Sequence, residues 1–362
     1  MAIHVKNVTI EAYRGISNLK LDNLNHINVL TGDNNSGKTS VMEVLSYIES
    51  PEYIGTWVSS SRRNNGQRAL FYNYFYNMFP IDEDDKVIQF GYMNNNGENT
   101  DIILKAYVED TQIPEDEMLR VNGYLRTGSQ RKENTVVETK CMYLSIIING
   151  LRANEYTLFD FQTRLSAFRP KDASFVNVVS VSPTSHATGM LYLREILEDS
   201  ALYAEMLNVL QEFDEDIISI NVANVDEYSR ISEYMILSKR HKSALPLNVY
   251  GDGMKKAILM LSAVIKSKGG ILLLDEFETA IHTSAMEPVF SWILRSAKKL
   301  DVQLFLTSHS KEAIDKILKC CPDMQDEINV YTIYKKSTQS YIRTMNSREG
   351  IQTQDDFGLE LK

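Results

Sequence analysis

Gly32-Asp-Asn-Asn-Ser-Gly-Lys-Thr39 is a complete G-x-x-x-x-G-K-[ST] phosphate loop, and its setting decides the fold. An apolar run, His26-Ile-Asn-Val-Leu-Thr31, precedes it, and a helix-like run, Ser40-Val-Met-Glu-Val-Leu-Ser-Tyr-Ile48, follows. In such a loop the glycines let backbone N–H groups turn inward around phosphate oxygens at a helix N-terminus. Asn34, Asn35, Ser36, Gly37, Lys38, Thr39 and Ser40 are therefore the candidate nucleotide-binding residues. Lys38 is placed to reach the terminal phosphates, and Thr39 to hold Mg²⁺. ATP and Mg²⁺ are the expected ligands, although no residue of the loop separates ATP from GTP, and strand–loop–helix order predicts an α/β class.

The second half of the chain supplies partners for this loop. Gly269-Gly-Ile-Leu-Leu-Leu-Asp-Glu-Phe-Glu278 reads as a buried strand ending in two carboxylates, a Walker B pattern. Continuous apolar runs mark parallel strands covered on both faces, and ligands collect at the carboxyl ends of such strands. Asp275 is the expected second metal residue and Glu276 the group that orients and deprotonates an attacking water. Val302-Gln-Leu-Phe-Leu-Thr-Ser-His-Ser310 repeats the pattern, and His309 at its tip is a candidate γ-phosphate contact. Lys38, Glu276 and His309 form the candidate catalytic set.

The order of phosphate loop, glycine-containing loop (Tyr250-Gly-Asp-Gly-Met-Lys-Lys256), Asp-Glu and Thr-Ser-His resembles ABC-type ATPase heads of the SMC, RecF and OLD-like group. Within it, the chain is most similar to small bacterial "AAA family" predicted ATPases associated with phage defence. The resemblance rests on Ile10–Gly15, Gly32–Ser40, Tyr250–Leu274 and Asp275–His309, at the two ends of the chain. It implies an α/β ABC-type P-loop NTPase head with a mixed or parallel core sheet, an antiparallel β layer and a helical insert. It also implies a head-to-tail dimer in which Gly251, Asp252 and Gly253 of one subunit meet the γ-phosphate bound by the other. Usual signatures carry Ser where Asp252 stands, so a carboxylate there would repel phosphate unless it pairs with Lys255 or Lys256. The same resemblance makes Arg14 a candidate nucleotide contact, with an exposed hairpin arginine as the alternative, and His282 a candidate dimer-seam residue, with a surface histidine as the alternative. It leaves the glutamine that links γ-phosphate to the lobe unplaced, Gln67 and Gln89 being the candidates.

One composite domain, 1–362, is expected, with residues 1–50 and 240–362 as the two halves of the nucleotide core. Residues 51–175 read as the antiparallel layer and 185–240 as the helical lobe. Ile3–Ile10 and Leu19–Leu30 are expected strands, and residues 190–218 expected helix, with Leu191, Leu193, Ile196 and Leu197 on one face. The aromatic run Phe71–Phe79 reads as packed core rather than a stacking platform for single strands. No sustained heptads are present for a coiled-coil rod, and the stretch from 311 to 362 is too short for a Toprim nuclease domain. The end of the chain, with Asp355-Asp356, reads as a solvated tail.

A net charge of −10 excludes a protein that coats nucleic acid nonspecifically, although Arg62-Arg63 and Lys239-Arg-His-Lys242 are local basic patches. Cys141, Cys320 and Cys321 match neither a disulfide framework nor a C-x-x-C metal site, and no apolar run approaches a membrane span. The expected setting is cytoplasmic. The expected partners are a second copy of the chain, in a homodimer or higher homo-oligomer, and a separate protein effector, a nuclease among the candidates. Nucleic acid, as in a RecF-like repair ATPase, and a scaffold with little turnover are the alternatives.

Overall fold

The computed structural model describes residues 3–61, 70–80, 86–122, 135–165, 176–188, 191–224, 232–336 and 339–357. A six-stranded sheet forms the nucleotide core. Its spatial order is Gln339–Asn346, Ile328–Lys336, Ile27–Thr31, Gln303–Thr307, Ile271–Leu274, Val178–Val181. All neighbours run parallel except the first pair, a hairpin at the edge. The strand before the phosphate loop thus lies between two strands that follow it by nearly three hundred residues.

Every residue of Ile27–Thr31, Ile271–Leu274 and Gln303–Thr307 is buried, because both faces of this sheet are covered. Ile27, Val29, Leu272, Leu274, Leu304, Leu306 and Val330 pack with the helices Asp252–Lys266, Thr283–Leu300 and Lys311–Lys319. Leu30, Ile271, Leu273, Phe305, Tyr331 and Ile333 turn the other way, toward the helix Lys38–Tyr47 and a second sheet. Alternation of Cβ direction along each strand divides the residues between the two cores.

The second sheet is antiparallel throughout, in the order Ile16–Leu21, Val5–Tyr13, Lys86–Asn94, Asn99–Pro114, Val136–Ile148, Leu151–Phe159. The layer expected over 51–175 therefore draws its first two strands from residues 5–21. The single strand expected over Leu19–Leu30 is two strands in different sheets, since the chain turns between Leu21 and Ile27 with Asn23 at φ 55°. Asn tolerates this left-handed backbone better than branched residues do, which makes it a break point. In the Phe71–Tyr76 helix and the turn after it, Phe71, Tyr72, Phe75, Met78 and Phe79 are buried, as core packing requires.

Two further segments depart from expectation. The lobe read as helical holds the helices Arg194–Leu197 and Ser200–Gln211, and then a three-stranded sheet of Ile217–Asn224, Ser232–Ser238 and Leu245–Pro246. Ile218, Ile220 and Val222 alternate with polar residues at a period of two, the strand pattern, where the helical reading ran on to 218. The tail is also ordered: Ser347–Phe357 is a helix, with Ser347 and Gln354 buried and Ile351 packed on the core. Asp355 accepts a bond from Lys319 at 2.8 Å, so it is not merely solvated. No helix among the described residues is long and apolar enough to cross a membrane.

Candidate active site

Thr39 and Asp275, 236 positions apart, meet where parallel strands end: the Thr39 hydroxyl donates to Asp275 Oδ1 at 3.5 Å. The loop reaches this geometry through backbone that only certain residues adopt. Gly32 has φ 138°, and a Cβ there would lie 2.1 Å from the Ile333 carbonyl oxygen. Gly37 has φ 111° and packs against the Ile16 side chain, where a Cβ would be 3.0 Å from Cδ1. Asn35 is also left-handed, at φ 62°. Asn34 and Asn35 are exposed at the loop tip, Ser40 is half-buried, and Ser36 is buried with a hydroxyl that has no partner.

Lys38 donates to the carbonyls of Gly32 at 2.7 Å and Asp33 at 2.9 Å, closing the loop on itself. Burial pushes its ammonium pKa down, while Asp275, Glu276, Asp33 and Glu278 act in the opposite direction. Two of its three N–H donors are used in this way, which leaves one for a further acceptor.

Across the site, Thr307 fixes the Walker B end. Its hydroxyl donates to Asp275 Oδ1 and accepts the Glu276 backbone N–H at 2.8 Å. The Asp275 N–H is tied to the Val181 carbonyl at 3.0 Å. Glu276 adopts φ 45°, a left-handed conformation unusual for its type, which aims the side chain off the strand. Its carboxylate stands 4.0 Å from His309 Nδ1, and both side chains are substantially open to solvent. Thr307 belongs to none of the motifs that mark the site, and its signal in the sequence is only that of a polar residue ending an apolar strand.

Glu278 adds a third carboxylate. One oxygen accepts the Ser308 hydroxyl at 2.7 Å, and the other is buried without a hydrogen-bond partner. Lys256, in the helix that follows the glycine loop, has no exposed surface at all. It donates to the carbonyls of Ser182 at 3.2 Å and Pro183 at 3.4 Å. Burial lowers its pKa to about 8 against the upward pull of Asp275, Glu278 and Glu276. The signal that could have found it is a pair of cations, Lys255 and Lys256, at the start of an otherwise largely apolar helical stretch, Met254–Ile265, whose buried face takes in Lys256.

Asp252 pairs with Lys255 at 3.0 Å on the exposed end of that helix, and this partner lowers its carboxyl pKa. Gly251 borders open space, whereas a Cβ on Gly253 would lie 2.8 Å from the Ala280 carbonyl oxygen, so Gly253 permits the contact with the loop after Glu278. His282 caps the next helix by accepting from the Ser284 N–H.

Arg14 is engaged elsewhere than expected. Its guanidinium pairs with Glu43 at 3.1 Å and donates to the Tyr13 hydroxyl at 3.1 Å, in a turn that sets Ile16 against Gly37. Glu43 is buried in the helix after the phosphate loop and also accepts from Tyr13 at 2.8 Å. Replacing Glu43 by Ala removes the buried carboxylate that accepts from both, leaving the guanidinium only the Tyr13 hydroxyl and that hydroxyl only Tyr47. Urea unfolding is expected to show a loss of about 2 kcal/mol, the cost of stranding buried polar groups.

Gln89 is not at the site: it lies on Lys86–Asn94 in the antiparallel sheet and donates to Asp101 at 3.4 Å. Gln67, Arg62 and Arg63 lie outside the described residues. The strand flanking Walker B ends at Val181, and the segment after it, Ser182–Thr188, holds no glutamine. In the Lys239–Lys242 patch, Arg240 is paired with Asp214 and Asp216.

Known proteins show the same architecture. Residues 157–315 match the family model described as "AAA domain, putative AbiEii toxin, Type IV TA system". A Helicobacter pylori protein named ATP/GTP phosphatase is 23% identical over 328 residues, 86% of this chain and 86% of that one. The uncharacterized protein MJECL11 of Methanocaldococcus jannaschii is 31% identical over 114 residues, 31% of this chain and 98% of that one. Among solved structures, the Smc head bound to the C-winged helix domain of ScpA superposes with TM-score 0.51 at 10% identity, covering 96% of this chain and 99% of that chain. The Pyrococcus furiosus Smc head with an extended coiled coil, bound to the C-terminal domain of ScpA, gives 0.50 at 10% identity, covering 98% and 100%. Sequence similarity and superposition agree: the chain has the fold of the Smc P-loop ATPase heads, and its sequence is similar to an AAA-domain family and to an ATP/GTP phosphatase.

Proposed function

We propose that the chain binds Mg-ATP on the Gly32–Thr39 loop, hydrolyses it with Glu276 as base, and uses the cycle to control a separate effector protein. The observation that carries this reading is the convergence of Lys38 and Thr39 with Asp275 and Glu276 at one sheet edge, His309 beside them. The residues fit the ligand. Two glycines hold the loop open where Cβ atoms would clash, the Ser36 hydroxyl is buried without a partner, and Thr39 and Asp275 present two oxygens 3.5 Å apart. Mg²⁺ held there would neutralise phosphate charge during transfer to water. Lys38 and the loop N–H groups would hold the phosphates, while Glu276 would orient a water and take its proton. His309 would contact the terminal phosphate and, at 4.0 Å, help set the Glu276 carboxylate.

The second copy enters through Gly251–Gly253. Asp252 is paired with Lys255, which removes the main objection to placing this loop against a neighbour's phosphate. Static light scattering tests this: Mg-AMP-PNP is expected to double the mass of the particle, and EDTA to reverse it. A mass unchanged under saturating nucleotide would count against the head-to-tail arrangement. For the setting, the description of the matched family as a putative toxin of a toxin–antitoxin system supports a role in defence, within which a nuclease is the effector we propose. The ScpA fragments bound to the two Smc heads support docking of a partner protein on such a head.

A further inference from the structure

Lys256 occupies a position that hydrolysis does not explain. It is the one lysine without exposed surface among the described residues, and it sits in the first turns of Asp252–Lys266, directly after the glycine loop. Its neighbours belong to three different pieces of the molecule. The carbonyls of Ser182 and Pro183 come from the exit of the strand flanking Walker B. The carboxylates of Asp275, Glu278 and Glu276 act on it from the Walker B strand and the loop after it. The helix that carries it begins with Asp252 and Gly253, and Gly253 packs on Ala280.

Burying an ammonium is costly unless opposite charge and hydrogen-bond acceptors compensate. Here the two carbonyls bond it while the carboxylates stabilise it through space, and these are the groups among which a metal ion would be held. A divalent ion is the largest local charge in such a site, so binding it at Thr39 and Asp275 would draw the same carboxylates away from the ammonium. Lys256 would then depend more heavily on its two carbonyls. The loop that owns them leads into Ser182–Thr188, and the helix that owns the lysine leads back to Gly251.

We infer that Lys256 is a positioning residue that couples nucleotide loading at Thr39 and Asp275 to the placement of the Ser182–Thr188 segment and of the Gly251–Gly253 loop. The inference rests on the proposed Mg-ATP site and adds to it a route from the metal residues to the surface offered to a second copy. Lys256 touches no substrate in this scheme. It acts through the backbone of two segments.

The experiment compares hydrogen exchange of the full chain with and without Mg-AMP-PNP, in wild type and in Lys256→Met, which keeps the length and removes the charge. In wild type, peptides covering 182–188 and 250–256 are expected to slow by about tenfold on loading, one factor of ten being about 1.4 kcal/mol. In Lys256→Met, AMP-PNP should bind within about threefold of wild type, yet exchange at 182–188 should no longer respond. Lys256→Arg, which retains the cation, should restore most of the response. Under steady-state turnover, Lys256→Met should lower kcat by about tenfold with KM nearly unchanged, the pattern of a residue acting on the loaded state.

Retention of the exchange response in Lys256→Met overturns the inference. Should that variant fail to fold, Glu278→Gln carries the test, because it removes one of the shared carboxylates from the charge balance. It is expected to weaken the response at 182–188, and an unchanged response there would overturn the coupling as well. Wild-type protein that binds no Mg-AMP-PNP refutes the site itself. Wild-type protein that binds it without any change at 182–188 leaves the site standing and removes the coupling.

Discussion

Glu276→Gln is expected to lower ATP turnover by about a thousandfold while leaving nucleotide affinity within a few-fold. Removing a positioned base costs 10² to 10⁴ in rate, and Gln preserves the shape of the side chain. Backbone geometry favours a clean result. The φ of 45° at this residue is set by the Thr307 hydroxyl on its N–H and by strand pairing just before it, neither of which involves the carboxylate. The variant should therefore fold normally and hold ATP in an uncleaved complex. Phosphate release measures the first part, and chromatography with ATP measures the second, where a long-lived particle of twice the mass is expected. A Glu276→Gln protein with wild-type phosphate release would remove this residue from the chemistry and turn attention to Glu278.

Lys38→Met should produce the opposite split. Its ammonium is the only cation with a defined position inside the described part of the loop, and the loss of such a clamp on phosphate is worth 10² to 10³ or more. Affinity for Mg-AMP-PNP is expected to fall by about a thousandfold, with turnover lost in parallel at ordinary concentrations. Stability without nucleotide should change little. Burial already disfavours this charge, so removing it relieves that cost while breaking the bonds to Gly32 and Asp33. Thermal unfolding with and without nucleotide separates the effects: wild type gains stability from the ligand by mass action, and Lys38→Met should gain none. A ligand-induced shift of wild-type size in Lys38→Met would show that the loop binds something other than a triphosphate.

The core of the molecule was readable because its signals are local and strong. Ile271–Leu274 and Gln303–Thr307 are unbroken apolar runs ending in polar residues, and their burial on both faces follows from that composition alone. The same holds for the strand before the phosphate loop. What could not be read depends on partners far along the chain. Glu43 captures Arg14 from 29 positions away, and nothing near Arg14 announces it. The tail looked solvated because its buried positions, Ser347 and Gln354, are polar and leave only Ile351 as an apolar mark. The lobe departs from a helical pattern where branched residues at a period of two, Ile218, Ile220 and Val222, follow shortly after a true amphipathic helix. Asp252 is the intermediate case: the need for a cationic partner was legible, and the structure selects Lys255 while burying Lys256 against carbonyls.

The insertion of Ile27–Thr31 between Gln303–Thr307 and Ile328–Lys336 has a consequence for biosynthesis. A ribosome exposes the phosphate loop long before the two strands that flank its own strand, Gln303–Thr307 and Ile328–Lys336, have been made. Until then that hydrophobic segment has no permanent place, and pairing so remote in sequence forms slowly. Chains stalled or clipped before residue 336 should hence carry an intact ATP motif and no ability to use it.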